Sequence, residues 1–175
     1  PALAERDEVR IAATLADELL QDIRAVVSEL RKHDGIDLAA AITTLTETIP
    51  HGAHVVAPDV MYYGTRDWLK RLEGLGRISL SLFDPREPAA LAKAVRPGKT
   101  DLVWIETPLN PTWDVIDIAE AAKATHGAGA ILAVDATATA AVTTRPLTLG
   151  ADIVFHSATK YLNGHSDVLG GALIA

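Results

Sequence analysis

Residues 130–135 read Ala130-Ile131-Leu132-Ala133-Val134-Asp135, an unbroken apolar run closed by a carboxylate. A strand with one wet face alternates polar and apolar side chains. A short run with no alternation therefore argues a strand covered on both faces, as in a parallel sheet. The texture on either side agrees. Upstream, Ile116 to His126 reads as a helix and Asp101 to Ile105 as another strand. Further back come helical Pro88 to Val95, strand-like Ile78 to Phe83, and the apolar segment His54-Val55-Val56-Ala57 stopped by Pro58. Downstream, Ile153 to His156 repeats the strand pattern. Strands alternating with helices imply crossover connections on a parallel sheet. The expected fold class is α/β, a three-layer αβα sandwich with a mostly parallel sheet.

The front of the chain has a different character. Between residues 8 and 32, Ile11, Leu15, Leu19, Ile23, Val26 and Leu30 recur at spacings of three and four with charged residues between, the stripe of an amphipathic helix. His33-Asp34-Gly35 ends it, and a second helical run spans Leu38 to Ile49. The expected organisation is an amino-terminal amphipathic helix over 1–36 followed by one core over 37–175.

Composition narrows the function classes. The chain has 175 residues, 49% hydrophobic and 22% charged, with a formal net charge of -7 whose acids are dispersed. No basic footprint for nucleic acid or an anionic membrane is present, so neither partner is expected. Cysteine is absent, which excludes disulfides, thiolate metal sites and a cysteine nucleophile. His51, His54, His126, His156 and His165 share no metal-ligand spacing, and no metal site is expected. Glu5, Arg6, Asp7 and Glu8 stand where a secretory signal would carry its apolar stretch, and a cytoplasmic location is the expectation.

In open α/β sheets ligands sit beyond the carboxyl ends of the strands. Three such places carry polar residues. After Asp101 to Ile105 comes Glu106-Thr107-Pro108-Leu109-Asn110-Pro111-Thr112; after Ala130 to Val134 comes Asp135; after Ile153 to His156 comes Ser157-Ala158-Thr159-Lys160. Taken singly, each has a bland explanation: a rigid turn, a capping aspartate, a solvated lysine.

Together with Asp59-Val60-Met61-Tyr62-Tyr63-Gly64-Thr65, these segments resemble the ordered motifs of the Cys/Met metabolism (transsulfuration) family of pyridoxal-phosphate enzymes, from about residue 39 to the last. The most specific parts are Glu106 to Thr112 and Gly150 to Lys160 continuing through Gly171. The resemblance implies a fold-type-I cofactor domain binding pyridoxal 5'-phosphate. It makes Lys160 the catalytic lysine that carries the cofactor as a Schiff base, and Asp135 the acid that pairs with the pyridine nitrogen. Ser157 and Thr159 match hydroxyls that hold the phosphate, Tyr62 the catalytic aromatic that stacks on the ring, and Asn110 the amide near the phenolic oxygen. Protonating the ring nitrogen makes the ring an electron sink, and charge-assisted bonds suit a phosphate dianion.

The sequence departs from the family pattern in four places. Asp37-Leu38-Ala39 replaces the turn whose amides bind phosphate, and a carboxylate there would repel that group. Ala136-Thr137-Ala138 replaces Asn-Thr-Phe or Asn-Thr-Trp, which implies a roomier, less polar wall. Residues 1–36 do not match the family's amino-terminal arm, and the chain stops after Gly170-Gly171 where the family continues into a carboxy-terminal domain. A minimal or excised core is expected. The implied activity is carbon-sulfur lysis by beta- or gamma-elimination on a cysteine-like sulfur amino acid, in a homo-dimer or homo-tetramer, or as a domain of a larger polyketide or nonribosomal synthase. A gamma-synthase working by replacement and a non-catalytic dimerisation scaffold are the alternatives.

Overall fold

The computed structural model describes residues 50–165 and 167–175. The expected helices over 8–32 and Leu38 to Ile49, the division at residue 36, and Asp37 lie outside the described residues.

Six strands form one sheet: β1 (Ala53–Pro58), β2 (Ile78–Phe83), β3 (Thr100–Glu106), β4 (Ile131–Asp135), β5 (Ile153–Ser157) and β6 (Gly171–Ile174), in the order β2-β1-β3-β4-β5-β6. β1 to β5 run parallel, and β6 joins β5 antiparallel at the edge. Helices α1 (Tyr63–Gly74), α2 (Ala90–Ala94), α3 (Ile118–Gly127) and α4 (Ala140–Thr143), with a 3-10 turn at Pro146–Leu149, fill the connections.

The sheet is covered on both sides. Val56, Val103, Ile105, Leu132, Val134 and Val154 pack with Ile118, Ala121 and Ala122 of α3 and with Ala90, Leu91 and Ala94 of α2. Val55, Ala57, Leu102, Trp104, Ala133 and Phe155 pack with Leu69 and Leu72 of α1 on the other face. From Leu132 to Val134, neighbouring residues of β4 thus go to opposite faces and all are buried, which is why residues 132–134 show no alternation; Ile131, at the start of the strand, is exposed. Each valine, leucine or isoleucine fully buried this way stabilises by roughly 1.5–3 kcal/mol relative to exposure.

All five expected strands form within one residue of their expected bounds. Helix α1 was not expected. Its inward stripe is Thr65, Leu69 and Leu72, narrow and begun by a polar residue, set among Arg66, Asp67, Lys70, Arg71 and Glu73. β6 and the two short turns of helix between β4 and β5 were also not expected. The expected helix Pro88 to Val95 is shorter, Ala90–Ala94. No helix among the described residues is long and apolar enough to cross a membrane.

Candidate active site

The order β1-β3-β4-β5 brings four carboxyl ends side by side, and every candidate residue sits on or just after one of them. Tyr62 follows β1 and begins α1, Asn110 follows β3, Asp135 ends β4, and Ser157, Thr159 and Lys160 lie at and beyond the end of β5.

Asp135 is buried, as expected where a strand ends beneath its own connection. Thr137 N donates to its Oδ1 at 2.9 Å, and Ser157 N donates to Thr137 Oγ1 at 2.8 Å, so one threonine ties the ends of β4 and β5 together. Burial pushes the Asp135 carboxyl up to about 6, against the opposing pull of the Thr137 bonds.

Glu106 is the register partner of Asp135 across β3 and β4, and it is 6% exposed. Its Oε2 accepts from Tyr62 N at 2.7 Å and its Oε1 from Asn110 N at 3.0 Å. Its carboxyl is lifted to about 7, first by burial and then by the neighbouring charge of Asp135, while the two amides hold it down. The loop that follows has cis bonds at Thr107-Pro108 and Asn110-Pro111.

Tyr62 is half-buried, its ring centroid 4.8 Å from that of Tyr63. A Cβ at Gly64 would stand 2.6 Å from Tyr62 Cε1, so the ring folds back over a position that only glycine leaves open. Lys160 is exposed on the turn Ala158–Leu162, where its own backbone departs from helical angles at φ -92 and ψ -117. Thr159 is buried beside it. Thr159 N donates to Gly170 O at 3.1 Å, its hydroxyl donates to the same carbonyl at 3.4 Å, and Gly170 N donates to Thr159 Oγ1 at 3.1 Å.

One expectation is corrected. Ala136 is fully buried in the α2–α3 face with Val134 and Val154, so it packs the core and is not part of the roomier wall. Of the two alanines only Ala138, half-buried, keeps surface outside the core. Two residues that tie the site together, Glu106 and Thr137, were not among the candidates. Both lie inside the quoted motifs, but their partners are remote in sequence: Glu106 bonds Tyr62 across 44 positions and Thr137 bonds Ser157 across 20.

Residues 35–175 match the family described as Cys/Met metabolism PLP-dependent enzyme. The chain belongs to this family. It is 40% identical over 134 residues to a probable cystathionine gamma-synthase of Herpetosiphon aurantiacus, covering 77% of this chain and 42% of that protein. It is 45% identical over 136 residues to a cystathionine gamma-lyase of Bacillus subtilis, covering 77% and 35%. A cystathionine gamma-synthase of Xanthomonas oryzae pv. oryzae, solved with aminoacrylate and cysteine, superposes with a TM-score of 0.73 at 36% identity, covering 77% of this chain and 35% of that one. The chain thus spans well under half the length of these relatives.

The Cys/Met metabolism family is pyridoxal-phosphate dependent. The donor set of this chain fits that group. A desolvated carboxyl at a strand end suits a protonated ring nitrogen, and a turn carrying two hydroxyls and an amine suits a phosphate and an aldehyde. Asp135 would hold the ring nitrogen, Ser157 and Thr159 the phosphate, and Lys160 the aldehyde carbon.

Proposed function

We propose that the chain is the cofactor-binding core of a carbon-sulfur lyase that eliminates a thiol from a cysteine-like sulfur amino acid, by beta- or gamma-elimination. The observation that carries this reading is Asp135, a buried acid at the end of β4 whose carboxyl is lifted by burial to about 6, in line with the strand ends that carry Tyr62, Asn110, Ser157 and Lys160.

Pyridoxal phosphate, when bound, supplies the sink for the electron pair released at the substrate's alpha carbon. The chain's own residues do the rest. Asp135 keeps a proton at the ring nitrogen, because an ionised carboxylate in a dry site strongly favours a protonated neighbour. Lys160 would hold the cofactor through its amine and, once the substrate's amine has taken its place there, the released neutral amine would move the alpha proton. Tyr62 would offer a flat aromatic face and Asn110 an amide, and the hydroxyl of Ser157 would anchor the phosphate, joined by that of Thr159 on turning its proton away from Gly170 O. Elimination asks for a sink, a base and a leaving thiolate; replacement also needs a second substrate held in place. The relatives include both lyases and synthases, which supports sulfur amino acid chemistry of either outcome.

The test is to incubate the protein and pyridoxal phosphate with L-cystathionine, with S-alkyl cysteines, and with O-acyl homoserines together with L-cysteine. Thiol, ammonia and a keto acid in equal amounts support the lyase. Replacement products formed without keto acid would move the reading to a synthase. A colourless protein that takes up no cofactor would leave a scaffold.

A further inference from the structure

Both oxygens of the Glu106 carboxylate are engaged, and by loops from two different strands. Oε2 holds the amide of Tyr62, which leads out of β1, and Oε1 holds the amide of Asn110, which leads out of β3. Both amides belong to residues whose side chains are candidates for the cofactor ring. Tyr62 also stands at the amino end of α1 with no side-chain cap, so the carboxylate is what fixes where that helix begins. Above about pH 7, where this carboxyl is ionised, a charge-assisted bond to each amide is stronger than a neutral one, and a carboxylate is the acceptor-only group that can serve two converging N–H donors at once.

We propose that Glu106 is a positioning residue for the cofactor: it sets the spacing between the Tyr62 ring and the Asn110 amide by clamping the backbone of both. The proposal rests on the pyridoxal-phosphate reading for its consequence but not for its geometry. Burial of this acid and its placement beside Asp135 are costly arrangements in packing terms, and an apolar residue at the end of β3 would fill the space without them.

Glu106→Gln keeps the shape but presents an amide nitrogen to one of the two N–H groups, so one arm of the clamp opens. The experiment compares wild type and Glu106→Gln by hydrogen exchange of the apoprotein and by circular dichroism of the cofactor band in the holoprotein. The amide of Tyr62 or of Asn110 is expected to exchange ~10-fold faster or more, the effect of losing one charge-assisted bond, with Thr137 and Ser157 amides unchanged. The cofactor band is expected to persist, because Lys160 is intact, but with altered ellipticity, and kcat to fall more than KM rises. Glu106→Asp, charged but one methylene short of reaching both amides, gives the same signature where Glu106→Gln does not fold.

Unchanged exchange at both amides overturns the clamp. Faster exchange with an unaltered cofactor band and full kcat overturns its role in positioning. A wild-type protein with no cofactor band refutes the cofactor reading instead, and the exchange result still judges the clamp.

Discussion

Replacing Asp135 by asparagine should make the apoprotein more stable at neutral pH while removing its use for the cofactor. The carboxyl rises from the ordinary aspartate value of 3.8 to about 6 on folding, chiefly through burial. Between those values the folded chain keeps a proton that the unfolded chain has lost. Stability therefore falls as pH rises through this window, and it levels off above about 6. A gap of about two pH units at 1.36 kcal/mol each gives about 3 kcal/mol of penalty at pH 7 and above. Asparagine is nearly isosteric, never ionises, and can still accept from Thr137 N, so it escapes the penalty. It also removes the charge that helps to raise Glu106, which can only widen the difference. Urea unfolding of wild type and Asp135→Asn apoprotein at pH 4, 5, 6, 7 and 8 reads this directly. The stability difference should grow from pH 4 to about 7, as Asp135 and then Glu106 ionise, and then hold. A difference that stays flat across that range, or that favours wild type at pH 8, would refute the assignment of a desolvated, uncompensated acid. In cofactor titrations the same variant should bind more weakly, because its amide cannot balance a protonated ring nitrogen.

Lys160→Ala should abolish the visible cofactor band while the apoprotein still folds, because the side chain is exposed; absorbance and far-UV circular dichroism check both halves. Gly64→Ala should favour helix α1 by about 0.5–1 kcal/mol, while the new methyl, 2.6 Å from the Tyr62 ring, displaces that ring; weaker cofactor binding with an unchanged or raised melting temperature is the expected result. Thr137→Val removes the acceptor of Ser157 N and loosens the hold on Asp135. It should cost about 1 kcal/mol and raise the Asp135 titration, followed by carboxyl NMR.

The parallel core was legible in the sequence because burial on both faces erases alternation, and runs such as residues 132–134 and 54–57 carry that signature locally. The candidate residues were placed by position after strands together with family resemblance, and the shared edge of β1, β3, β4 and β5 accounts for their gathering. Helix α1 was missed because its buried stripe is three side chains wide, one of them threonine. β6 was missed because Gly171–Ile174 is short, largely exposed and held only by its pairing with β5. A strand with no buried face writes no pattern of its own. Glu106 was missed for a related reason: a carboxylate inside a proline turn looks like turn chemistry until the loop after β1 is folded against it.

The turn that carries Lys160 is bonded on both flanks: Ser157 to Thr137, Thr159 to Gly170, and Gly164 N to Lys160 O at 2.8 Å. The lysine is thus a limb on a fixed post. Its backbone freedom was surrendered when the chain folded, so the entropic cost of ordering this turn falls on folding and not on the binding of a ligand.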